Sequence, residues 1–177
     1  NLGDLKALAG ALKTGERKVQ AMIAKFGAGV FVDGLAALQD YAEEQARAIL
    51  ASIPDGTYSF ADYVDEDAAG DHPCRLKLTL TIAGDSAVMD FTGTDPQLTS
   101  SLNVPTGSHP RHTLLLVGVY YVLYTLNPGI LLNSGLTRPF TCIAPEGTVV
   151  NPVFPAAVGM RSLTCARLRS LVFGVFN

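Results

Sequence analysis

The sharpest periodic signal in the chain has a period of two. Leu76, Leu78, Leu80 and Ile82 alternate with Arg75, Lys77, Thr79 and Thr81, which predicts a strand with one buried and one wet face. Ala83-Gly84-Asp85 turns that strand into a partner carrying Val88, Met89 and Phe91, and Tyr58 and Phe60 alternate in a third, so an antiparallel meander is expected. Upstream the period becomes helical. Val19, Met22, Ile23 and Phe26 follow a capping Thr14 and stop at Gly27; Phe31, Leu35, Leu38, Ala42 and Ile49 then share a stripe that ends before Pro54. Ile53-Pro54-Asp55-Gly56 has the residues of a type I turn. Downstream, Thr113 to Leu126 is apolar on nearly every side and predicts a helix buried all round, while Leu163, Leu168, Leu171 and Val172 predict a C-terminal helix. Thr92 to Pro110 and Asn133 to Pro155 are rich in turn residues and read as long irregular segments, the second with β-like pieces at Phe140–Ile143 and Thr148–Val153. The expected fold class is α+β: N-terminal helices over 1–53, then an α+β part over 54–177.

Composition narrows the class. The 177 residues are 48% hydrophobic and 16% charged, with a formal net charge of −3, so a disordered chain and a non-specific nucleic-acid binder are both excluded. The apolar run from Thr113 is about fourteen residues long, where a membrane span needs roughly twenty. Three cysteines without a Cys-x-x-Cys spacing suit reduced thiols and a cytoplasmic location. The chain opens on Asn1 and ends inside an apolar pattern, as expected of a segment of a longer polypeptide.

Candidate chemistry is sparse. His109 and His112 are three apart, but Pro110 and Arg111 between them spoil a metal-binding helix face, so they read as a solvated pair at a helix start, and no metal ligands are expected. The acidic run of Asp62, Asp65, Glu66, Asp67 and Asp71 lacks the alternation of a calcium loop and reads as a solvated hairpin loop. Ser108 beside His109 has no relay partner in sequence. Cys142 and Cys165 lie in apolar surroundings and read as inert, and the glycine loops that cradle phosphates are missing. Polar residues within the irregular segments remain. Asp90 suits either a ligand or the backbone of its own turn; Asn103, Asn133 and Arg138 are similarly placed.

Ile53-Pro54-Asp55-Gly56-Thr57-Tyr58, the run Asp90-Phe91-Thr92-Gly93-Thr94-Asp95-Pro96-Gln97, Asn103-Val104-Pro105, Asn133-Ser134-Gly135 with Arg138-Pro139, and Pro145-Glu146-Gly147 occur in this order. Together they make the chain resemble the middle segment of the hydantoinase B family, which includes the matching half of 5-oxoprolinase and the large subunits of acetone and acetophenone carboxylases. The resemblance implies a B-type subunit of an ATP-dependent cyclic-amide hydrolase, working with a hydantoinase A-type subunit that binds ATP and phosphorylates the substrate. A ketone carboxylase segment and a non-catalytic assembly module are the alternatives. It also implies a divalent metal held by residues upstream of Asn1, no cofactor within this segment, and catalytic residues that stay unassigned. Family motifs fall on both irregular segments, so Asp90, Thr92, Asn103, Asn133 and Arg138 are expected to line one substrate cleft, with Arg138 a bidentate clamp for a phosphorylated or carboxylate-bearing intermediate. The apolar helix is expected to drive self-association through Leu115, Val119 and Val122.

Overall fold

The structure, a computed structural model, describes residues 1–65, 70 and 72–177. The alternating segment forms β2 (Cys74–Ala83), in which Cys74, Leu76, Leu78, Leu80 and Ile82 are buried. It pairs antiparallel with β1 (Gly56–Val64), placing Tyr58 opposite Leu80 and Phe60 opposite Leu78, and with β3 (Ser86–Asp90), placing Met89 opposite Leu80. The meander is therefore present, but the sheet is mixed. Phe140–Ile143 forms β4, which runs parallel to β3 with Ala87 opposite Phe140 and Met89 opposite Cys142. Antiparallel neighbours need only a short turn, whereas a parallel neighbour needs a long crossover, and local alternation carries no sign of where that crossover returns.

One helix, α4 (Arg161–Val175), packs on β1 and β2, and a second, α3 (Val117–Leu126), packs on α4. They cross closely because Gly118 has no side chain; a Cβ there would stand 2.5 Å from Cβ of Val172. Two expectations are corrected here. The helix begins at Val117 rather than Thr113, the preceding residues forming hydrogen-bonded turns from His112. It is also not buried all round: Val119, Val122 and Leu123 face the core, while Tyr121 and Tyr124 are about half exposed, at 50% and 49%. Tyrosine counts as apolar in a periodicity count, yet its hydroxyl tolerates water. Leu115, Val119 and Val122 are consumed by this core and offer no surface for self-association.

The chain divides into two units, Asn1–Asp40 and Tyr41–Asn177, so the division falls inside a helix. In the first unit, α1 (Leu2–Phe26) starts well before Thr14, which lies in its interior and is no cap; Asp4 occupies the first turn instead. Gly27 stops it with φ +86°, its N–H donating to the carbonyl of Ile23 at 2.8 Å. No α1 side chain is buried. The following helix, α2 (Ala28–Ala51), extends into the second unit, where Ala42, Ala46, Ile49 and Leu50 are buried. Of the acidic run, Glu66, Asp67 and Asp71 lie outside the described residues; Asp62 and Asp65 both face Arg167 of α4, at 3.9 and 3.6 Å.

Candidate functional site

Each polar residue expected in the cleft has a definite local partner. Asp90 ends β3, and its Oδ1 accepts the backbone N–H of Thr92 at 2.8 Å, closing a turn that leaves Thr92 exposed. Beyond it the chain stays laced to β2: the Lys77 N–H donates to Thr94 Oγ1 and the Arg75 N–H to Asp95 Oδ2, at 3.1 and 2.7 Å. Asn103 is fully buried; its Oδ1 accepts from the N–H of Leu98, and its Nδ2 lies within hydrogen-bond reach of the carbonyls of Leu98, Ser100 and Ala157. Its amide is thereby spent on holding two loops together. Asn133 caps the 3₁₀ turn Ser134–Thr137 by accepting the N–H of Gly135 at 2.8 Å.

Arg138 belongs to an ion-pair chain. Its Nη1 meets Glu43 Oε2 at 3.1 Å; Glu43 Oε1 accepts from Arg47 Nη2 at 2.6 Å, and Arg47 Nη1 reaches Asp85 Oδ1 at 3.1 Å. Hydrogen bonds from Arg47, then from Arg138, hold the Glu43 carboxyl below its usual range against the opposing effect of burial. This chain joins α2 to the β2–β3 turn. The strand register separates it from Asp90, because Asp90 lies opposite Ile143 whereas Arg138 precedes Phe140, the partner of Ala87. Three strand positions amount to about 10 Å. The structure thus brings Asp90 and Thr92 together and sets Arg138 at the far end of the β3–β4 ladder, with Asn103 enclosed.

Sequence reasoning passed over Asn151, which is 2% exposed. Its Nδ2 donates to Ser108 Oγ at 2.9 Å and to the Ala144 carbonyl at 2.8 Å, and its Oδ1 accepts the N–H of Ser108 at 3.1 Å. Only its position after the apolar pair Val149-Val150 hinted that it points inward. Ser108 therefore serves asparagine, not histidine. His109 and His112 sit on turns ahead of α3 rather than at a helix start, with ring centroids 6.4 Å apart. Burial, then the charge of His109, pushes the His112 imidazole below its ordinary pKa. Burial raises both thiols considered, Cys142 up to about 12, in keeping with inert packing. Tyr120, Tyr121 and Tyr124 line an apolar groove of 440 Å³ with Val117 and Leu132, and Arg169 lies over the Tyr121 ring at 5.6 Å.

Among the described residues no three His, Cys, Asp or Glu side chains gather as a metal would require. The divalent metal that the resemblance implies finds no matching donor set among the described residues. Among the described residues no single helix is long and apolar enough to cross a membrane.

Comparison with known proteins places the chain among relatives. The 5-oxoprolinase of Dictyostelium discoideum is 29% identical over the whole chain and 14% of its own length; 5-oxoprolinase 1 of Arabidopsis thaliana is 30% identical over the same shares. The ATP-dependent caprolactamase structure from Pseudomonas jessenii superposes with a TM-score of 0.78 at 26% identity, covering 98% of this chain and 30% of that one. A nucleotide-free acetone carboxylase structure shares the fold, with a TM-score of 0.64 at 19% identity over 81% of this chain and 20% of that one. This chain spans 27% and 14% of the first two curated relatives it matches. The profile of the hydantoinase B/oxoprolinase family matches residues 1–177, and the chain belongs to that family.

Proposed function

We propose that this chain is a segment of the B-type subunit of an ATP-dependent cyclic-amide hydrolase that works with a separate or fused A-type subunit carrying the ATP site. The observation that carries this reading is the unbroken family match across the chain, joined to relatives named 5-oxoprolinase and ATP-dependent caprolactamase. The chemistry is coherent: a resonance-stabilised amide is a poor electrophile, and phosphorylation of its oxygen creates a leaving group. Asp90 and Thr92 are the substrate-facing residues of this proposal, the first holding the turn that presents the second. Asn103, Asn133 and Arg138, expected from sequence to share their cleft, are left to structural duties in this proposal: the first two fix loops and the third pairs with Glu43.

The second reading, a ketone carboxylase, draws on the shared fold of acetone carboxylase. The test uses the full polypeptide with its A-type partner, assayed with ATP against 5-oxoproline, a hydantoin and caprolactam, and separately against acetone with bicarbonate. ATP-dependent ring opening of any cyclic amide supports the hydrolase; ketone-dependent bicarbonate fixation alone replaces it with the carboxylase. Turnover of neither class leaves the assembly-module reading. A hydrolase of this kind is expected in the cytoplasm, where ATP is plentiful.

A further inference from the structure

The segment from Thr106 to His112 is tied down more firmly than a surface loop needs. The N–H of His109 donates to the Thr106 carbonyl at 3.2 Å across Gly107 and Ser108, whose φ angles are +56° and +59°. Positive φ at both central positions makes this a type I′ turn, and Ser108 is the one non-glycine residue with positive φ among those described. A serine there is held in a sparsely populated conformation. Buried Asn151 does the holding through both Oγ and N–H of Ser108, while Thr106 Oγ1 donates to the Val150 carbonyl and the Pro110 carbonyl accepts the N–H of Cys142, at 2.7 and 2.6 Å.

The turn presents donors. Nδ1 of His109 accepts the N–H of Arg111 at 3.1 Å, and Nδ1 of His112 accepts the N–H of Leu114 at 3.3 Å. A ring nitrogen that accepts a hydrogen bond carries no proton, so each neutral imidazole keeps its proton on Nε2. That tautomer cannot ligate a metal through Nε2 but does offer an N–H. Among the described residues neither Nε2 nor the exposed Arg111 guanidinium has a polar protein partner. The turn carries no carboxylate of its own: from Pro96 to Pro145 the chain contains no Asp or Glu.

We propose that the Gly107–His112 turn binds an oxyanion, a carboxylate or phosphate group, through Nε2–H of His109 and His112 and the guanidinium of Arg111. The two imidazoles lie nearly edge to face, their centroids 6.4 Å apart and their planes at 72°, with Arg111 between them in sequence. Asn151 is the positioning residue that keeps Ser108, and with it the turn, in shape. The inference rests on this turn alone and stands whether the whole subunit opens a ring or carboxylates a ketone.

The test is imidazole NMR on the ¹⁵N-labelled chain near neutral pH, with inorganic phosphate and acetate titrated separately. Both rings should show the Nε2–H tautomer, and both should shift saturably with one of the two anions. Tighter saturation by phosphate assigns a phosphate guest; tighter saturation by acetate assigns a carboxylate. His112→Phe and Arg111→Gln should each weaken that binding about tenfold or more, the loss expected for one hydrogen bond to a charged group. Arg111 is exposed, so Arg111→Gln remains informative if His112→Phe does not fold. Nδ1–H tautomers, stoichiometric zinc binding by both rings, or no saturable shift with either anion would overturn the proposal.

Discussion

Asn103 and Arg138 occur in similar stretches of turn-forming sequence, yet their surroundings give them different weights. Asn103 is enclosed and its amide bridges Leu98, Ser100 and Ala157; Asn103→Ala leaves those groups without partners and should cost about 2–3 kcal/mol, read from a denaturant midpoint. Arg138 and Glu43 form a partly exposed pair, so Arg138→Lys should change stability by no more than about 0.5 kcal/mol. In the intact complex the same variant tests the clamp role expected from sequence: unchanged turnover confines Arg138 to its pairing with Glu43. Acid titration separates two further residues. His112 and Glu43 both titrate below their ordinary values of 6.5 and 4.5, so the unfolded chain takes up protons at higher pH than the folded one. Their stabilisation is complete above those ordinary values and is lost as pH falls toward each folded-state value. Melting temperature should therefore drop in two acid windows, the first absent in His112→Gln and the second in Glu43→Gln. The residue types were legible in the sequence; their duties were not, because a hydrogen bond between Asn151 and Ser108 depends on how distant loops return.

At the scale of elements, alternation located three strands because burial on one face and solvent on the other leaves a direct trace in residue choice. β4 left only a short trace, since its four residues are too few for a period and its partner lies across a crossover. The α3–α4 crossing was invisible for another reason: Gly118 reads as a weak point in a helix until Val172 is seen against it. Gly118→Ala should force the two helices apart and cost about 1–3 kcal/mol, the usual range for overpacking, measured by thermal unfolding. α1 poses the opposite case. Leu5, Leu8, Leu12, Val19, Met22 and Phe26 follow coiled-coil spacing, and all are exposed. Self-association is therefore expected through α1 rather than through Leu115, Val119 and Val122. Replacing Leu8 and Leu12 with lysine should return a concentration-dependent sedimentation profile to a monomer; a wild-type monomer at high concentration would remove the expectation.

For the whole molecule, the decisive quantity is how little of each relative this chain spans: 14% of a 5-oxoprolinase and 30% of the caprolactamase chain. Ordered short motifs made the family legible, because turns such as Ile53-Pro54-Asp55-Gly56 constrain residue type wherever the backbone path is kept. They could not locate a complete reaction centre, since motifs that preserve a path and motifs that touch substrate use the same residues. A folded segment of such an enzyme should bind without turning over. We expect the isolated chain to release no phosphate from ATP and open no hydantoin or 5-oxoproline ring, with or without divalent metal. Under the proposed function, the full B-type polypeptide with its A-type partner should release phosphate from ATP and open a cyclic amide. In that complex Asp90→Asn tests the substrate-facing proposal: it keeps a side-chain oxygen to accept the Thr92 N–H while removing the charge, so the turn survives. A fall in kcat of about tenfold or more, with melting unchanged, would mark the Asp90 charge as part of the reaction. Wild-type kcat would leave Asp90 as the cap of its own turn, and turnover by the isolated chain that vanishes in Asp90→Asn would place the whole centre within these residues.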